Sequence, residues 1–222
     1  MSSIRRIAAS NAVPVDLAKK IGVSGVNEIL SVLWQGYHDL KSDTSVSITE
    51  QAKEDYITLE WFGKLQQRWY SQNRATCLKC HNISPVHQYP DQTKALAKGY
   101  PPTIDFCFRD WNTDDSYFGA EAKNLYDSKP EKIKRYINTG VKNYTNGRYG
   151  SQSSESSIVG YVLSGNIPTI VDELKVEIRK ESPISNLTRN MAVLEPQYKS
   201  CHTRSLDGEK ITLHHLFFNF VA

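Results

Sequence analysis

Two short runs, Ile104-Asp105-Phe106-Cys107-Phe108 and Phe118-Gly119-Ala120-Glu121-Ala122-Lys123, constrain this chain more than any other feature. Each reads as a β-strand, and the polar, turn-like stretch from Arg109 to Ser116 makes the pair a hairpin. Residues two apart on a strand point to the same face, so Glu121 and Lys123 project together and Ala122 faces the other way. Asp105 stands on the neighbouring strand. Two carboxylates and one ammonium are thus expected to converge beside a sheet. The carboxylates suit a hard divalent cation, and the lysine suits orienting or deprotonating a water. The alternation of Phe118, Ala120 and Ala122 against Gly119, Glu121 and Lys123 fits a half-buried strand or an active-site strand.

Pro101-Pro102-Thr103-Ile104-Asp105 followed by Glu121-Ala122-Lys123 resembles the PD-(D/E)xK nuclease superfamily over roughly residues 50–165. The proline does not directly precede Asp105, which departs from the motif. The resemblance implies an α/β fold with a restriction-endonuclease-like core, its mixed central sheet flanked by helices. It implies a Mg2+-dependent endonuclease of the restriction type that hydrolyses double-stranded DNA with one or two Mg2+ per site, as a homodimer. Asp105, Glu121 and Lys123 are then the catalytic residues. Asp105, Glu121, the backbone carbonyl of Ala122 and a glutamate from the preceding helix are the metal ligands. Glu54 is the expected helical glutamate, with Glu60 in reserve. The alternative is a nuclease-like fold without hydrolysis, a module that holds nucleic acid or a partner protein and is stapled by zinc.

Composition agrees with a globular protein. Of 222 residues, 39% are hydrophobic and 23% charged, and the net charge is +3. That charge permits nucleic-acid binding without requiring it. No apolar run approaches the ~20 residues of a membrane span, so no membrane partner is expected. The first ten residues carry two arginines and no long apolar stretch, so no secretory signal is expected. With four cysteines, this points to a reducing, cytoplasmic setting.

The chain divides into an N-terminal helical segment, residues 1–45, and a nuclease-like core, residues 46–222, with one continuous domain as the alternative. Within 14–40 the spacing of Leu17, Ile21, Val26, Ile29, Leu30 and Leu33 predicts a buried helical face, broken near Gly22 to Gly25. Ser47-Ile48-Thr49-Glu50 reads as a capping box opening a helix to about Tyr70, with Ile57, Trp61, Leu65 and Trp69 as its core stripe. Residues 128–146 read as a helix with Ile133, Tyr136, Ile137 and Val141 inward and a basic outer face. Lys134 and Arg135 on that face, with Arg148 and Tyr149 beyond it, are the expected nucleic-acid contacts. Ser151 to Ser157 reads as a loop that orders on DNA. Ile158 to Leu163 is an expected buried strand, Thr169 to Lys180 an amphipathic helix, and Lys210 to Phe220 a closing strand.

Cys77-Leu78-Lys79-Cys80-His81 admits three readings. It has the form of a c-type haem attachment site. Cys77 and Cys80 also have the spacing of half a zinc site, with His81 or His87 as a third ligand, for which Zn2+ would need a distant fourth ligand such as Cys107, Cys201 or His202. Free thiols are the third. His214 and His215 lie on opposite faces of one strand, so at most one faces any given site.

Overall fold

Seven strands form one mixed sheet in the order β1-β2-β3-β4-β7-β6-β5. They are β1 (Ile83–Pro90), β2 (Thr103–Asp110), β3 (Tyr117–Tyr126), β4 (Glu155–Ser164), β5 (Thr188–Arg189), β6 (Gln197–Thr203) and β7 (Lys210–Asn219). The computed structural model describes residues 16–71, 82–91, 100–111, 116–182 and 184–221. β3, β4 and β7 run parallel, and the outer strands pair antiparallel.

Helices cover both faces. α1 (Leu17–Ser42) and α2 (Glu54–Ser71) pack on one. α3 (Pro130–Arg135), a π-helical segment (Tyr136–Val141), α4 (Lys142–Thr145) and α5 (Ile167–Glu181) pack on the other. The strands sort their side chains by the two-residue period. Phe118, Ala120 and Ala122 of β3, Val159 and Tyr161 of β4, and Leu216 and Phe218 of β7 join the first layer. Tyr117, Leu125, Ile158, Val162, Leu213 and Phe217 join the second. Such two-sided covering is what a parallel strand group needs, and all ten residues of β3 are buried. β3 is therefore not a half-buried strand with one wet face.

The helical stripe Ile57, Trp61, Leu65 and Trp69 is buried as expected, and Trp61 packs edge-on against Phe106 and Phe218. Gly22 breaks α1 with φ 65°, a left-handed conformation that glycine tolerates. The capping-box expectation is corrected. α2 starts at Glu54, not near Ser47. The carbonyls of Glu50 and Ala52 accept hydrogen bonds from Tyr126 Oη and Asn124 Nδ2, both at 2.9 Å. That docking on β3 takes up backbone acceptors that a helix would use. The Ser-rich loop is shorter than expected, because β4 already begins at Glu155. Ser153 is buried and donates to the Tyr117 carbonyl, and Ser156 and Ser157 are buried within β4.

Three strands have no counterpart in the sequence reading, the two-residue β5 among them. β1 carries Pro85 and Pro90 and lies at the sheet edge, where proline costs no ladder bond on its outer side. β6 buries polar side chains on both faces: Gln197 accepts a hydrogen bond from Trp34 of α1, and Ser200 and His202, two residues apart, share the opposite face.

Candidate active site

The site forms where β2 and β3 part. Their pairing runs from Arg109↔Tyr117 to Phe106↔Ala120. Past that point the β3 amides that face β2 need other acceptors. Two carboxylates supply them. Asp105 Oδ2 accepts the Ala122 N–H at 2.7 Å, and Glu54 Oε2 accepts the Asn124 N–H at 3.0 Å.

β2 is reshaped to allow this. Ile104 and Phe106 are two residues apart yet lie in opposite core layers. Opposite them, His87 pairs with Phe106 and Tyr89 with Ile104, while Gln88 between them adopts φ 48°. β2 thus rolls over at Asp105, and the aspartate turns into the plane of the sheet toward β3.

Lys123 sits at the centre of the acidic groups. Its Nζ donates to Glu121 Oε1 at 2.7 Å, to the Ala122 carbonyl at 2.6 Å and to Glu54 Oε1 at 3.2 Å. Arg135 Nη2 reaches the same Glu54 Oε1 at 3.2 Å. The fold therefore brings together Asp105, Glu121, Ala122, Lys123 and Glu54, five positions singled out in the sequence. Glu54, not Glu60, is the helical glutamate that joins them. It can do so because it is the first residue of α2, beside the opening in the sheet.

The cluster is rich in acidic groups. Three carboxylates face one buried ammonium, and Arg135 is half exposed. Burial, then the neighbouring charge of Asp105, pushes Glu121 up to about 8. Burial also raises Asp105, against the pull of Lys123 and the Ala122 amide. Burial pulls the Lys123 ammonium down, and the carboxylates of Glu121, Glu54 and Asp105 more than offset it, so Lys123 is held charged. Glu121 Oε2 is buried, with no hydrogen-bond partner among the described residues.

These features fit a hard cation. The donor atoms are all oxygens, and one buried Glu121 oxygen has no partner among the described residues. Among the described residues, no group of three or more His, Cys, Asp or Glu side chains is placed so that it could hold a metal ion. The Lys123 ammonium instead gathers the acidic oxygens around itself.

The expected nucleic-acid contacts divide. Lys134, Arg135 and Arg148 are exposed. Tyr149 is not: it is buried, its hydroxyl donates to the Thr103 carbonyl at 3.0 Å, and its ring packs edge-on against Tyr144. Tyr149 is thus corrected from a DNA contact to a strut beneath the site. Cys77, Cys80 and His81 lie outside the described residues. Of the distant ligands considered for zinc, Cys107 is buried in the core and Cys201 lies beside Thr212.

His202 belongs to a separate buried chain. Tyr136 Oη meets His215 Nδ1 at 2.8 Å, and His215 Nε2 meets Ser200 Oγ at 2.7 Å. Ser200 Oγ meets His202 Nε2 at 2.7 Å, and His202 Nδ1 meets Ser185 Oγ at 3.3 Å. His214 points to the opposite face and meets Glu155 Oε2 at 2.7 Å. The sequence offered no sign of the polar chain, because Ser185, Ser200 and Tyr136 are ordinary residues until the sheet aligns them.

No protein-family model matches this chain, and neither a curated protein nor a solved structure matches it. No helix among the described residues is long and apolar enough to cross a membrane.

Proposed function

We propose that this protein is a Mg2+-dependent endodeoxyribonuclease of the PD-(D/E)xK type, with a restriction-endonuclease-like core. The observation that carries the reading is the meeting of Asp105, Glu121 and Lys123 at the opening between β2 and β3, with Glu54 closing the cluster. Asp105, Glu121, the Ala122 carbonyl and Glu54 would hold the cation. Bound Mg2+ supplies an acidified water and neutralises charge on the scissile phosphate. Lys123 orients the attacking water and offsets the charge that develops on the phosphoryl oxygens, as a fixed cation in a dry site does effectively. Lys134, Arg135 and Arg148 contact the phosphates of duplex DNA, fixing its position without reading its sequence. A restriction-type role in the cytoplasm suits this chemistry, and a homodimer would present one such site to each strand.

The test is cleavage of supercoiled plasmid with Mg2+. The protein is expected to nick or linearise it, and Asp105→Asn, Glu121→Gln and Lys123→Met each to abolish cleavage. Cleavage that survives Asp105→Asn and Lys123→Met sinks the proposal.

One observation favours a second reading. Lys123 already satisfies Glu121, Glu54 and the Ala122 carbonyl. A module that binds nucleic acid or a partner without hydrolysis would keep such a self-paired cluster. That protein would bind a labelled duplex with unchanged affinity in EDTA and in Mg2+, and would cut nothing.

A further inference from the structure

Glu54 is shared between two cations of very different exposure. Its Oε2 is pinned to the Asn124 amide, so the carboxylate is fixed in orientation. Its Oε1 receives Lys123 Nζ and Arg135 Nη2, each at 3.2 Å. Lys123 is buried and holds two further oxygens, so its departure would expose unpaired groups. Arg135 is half exposed, and among the described residues its guanidinium is paired with Glu54 alone. It is the last residue of α3, next to exposed Lys134.

A half-exposed guanidinium–carboxylate pair is worth little in water. A phosphate offers the same guanidinium a bidentate partner. Exchange of Glu54 for a DNA phosphate is therefore cheap, and it removes one positive charge from the acidic cluster. Resting on the nuclease reading, we propose that Arg135 links DNA binding to cation binding: it holds Glu54 in the free protein and releases it on taking a backbone phosphate. DNA then raises the cluster's affinity for a divalent cation. Because such linkage is reciprocal, the cation raises the affinity for DNA by the same factor. The free protein is thereby kept poor in metal until a duplex arrives.

The experiment is a calorimetric titration of Ca2+, an oxygen-seeking cation, into the full-length protein with and without a saturating short random-sequence DNA duplex. Wild type is expected to bind Ca2+ about tenfold more tightly with DNA, within the usual range of such couplings. Arg135→Ala is expected to bind Ca2+ several-fold more tightly than wild type without DNA, and to gain at most about twofold from DNA. Arg135→Lys keeps the charge beside Glu54 and is expected to stay close to wild type without DNA. Arg148→Ala weakens the duplex complex but keeps the full gain at saturation, which a merely structural loss would not do. A gain from DNA that is the same in Arg135→Ala as in wild type overturns the inference, as does no gain in wild type. Plasmid cleavage by the same wild-type sample separates the two failures. Cleavage without linkage defeats this inference alone, whereas absence of both cleavage and Ca2+ binding defeats the nuclease reading with it.

Discussion

Glu54 Oε2 accepts the backbone N–H of Asn124 at 3.0 Å across 70 residues of chain. One side chain therefore anchors the start of α2 to the central strand and contributes an acid to the candidate site. The two duties can be separated by substitution. Glu54→Gln keeps an acceptor for the amide and removes the charge, so it is expected to abolish Mg2+-dependent cleavage with little change in stability. Glu54→Ala leaves the buried amide unmet and is expected to cost about 1–3 kcal/mol in addition. Urea unfolding of the two variants beside a cleavage assay checks this, and equal stability of both would refute the anchoring role.

Lys123 stands where a cation is needed. Lys123→Met removes it and strands the oxygens of Glu121 and Glu54. Breaking a buried pair on one side is expected to cost about 3–5 kcal/mol without divalent ions. Added Mg2+ is expected to recover more stability in this variant than in wild type, because no ammonium competes and binding to the native state stabilises it. Thermal melts with and without Mg2+ measure the difference. A smaller Mg2+ shift in the variant would show that the ammonium does not occupy the cation's place.

The buried imidazoles make stability depend on acid. Burial holds His202 down at about 4 and His215 well below its ordinary value. His215 faces Tyr136 and Ser200, and His202 faces Ser200 and Ser185, so neither meets a carboxylate that would favour its charged form. An unfolded chain takes up these protons near pH 6.5, and the folded one does so only below about 4. The unfolded state therefore binds more protons in that window, and stability falls as pH drops through it. His202 alone accounts for about 3 kcal/mol at full effect, taking ~1.4 kcal/mol per unit of displacement. Glu121, held up at about 8, works in the opposite direction over part of this range, so the histidine effect is read as a difference. From pH 8 to 4, denaturant midpoints of wild type should fall relative to those of His202→Gln from about pH 6.5 downward, giving the variant the shallower slope. An unchanged slope would contradict the assignment.

Gly160 lies opposite Lys123 in the β3–β4 ladder. A Cβ there would collide with Leu125 Cδ1 and meet the Phe217 ring at 2.9 Å. Gly160→Ala is expected to destabilise the fold by about 1–3 kcal/mol through overpacking. If it also shifts β3, cleavage falls with stability. A variant as stable as wild type would mean that the second core layer has room this packing denies.

Much of the site was legible because its signals are local. The period-two pattern fixed which residues of β3 share a face, and the apolar run of Ile158 to Leu163 marked the strand beside it. The four-residue stripe from Ile57 to Trp69 placed α2 against the core. What could not be read depends on distant partners. The start of α2 is decided by Tyr126 and Asn124, which claim the carbonyls of Glu50 and Ala52. Tyr149 looked like a surface aromatic beside arginine, and only the fold buries it against Tyr144 and Thr103. The roll of β2 at Asp105 leaves no trace in composition, because Ile104 and Phe106 are equally apolar in either layer. The π-helical turn at Tyr136–Val141 is likewise silent in the sequence.

The parting of β2 and β3 has an evolutionary corollary. Asp105 and Glu54 serve as the stitching of the sheet at that seam, so the proposed chemistry and the architecture draw on the same two side chains. On the proposed nuclease reading, a descendant of this chain that lost hydrolysis would still have to close the seam. It would be expected to carry asparagine and glutamine at these positions, never alanine, and would keep the outline of an acidic site long after the acidity had gone.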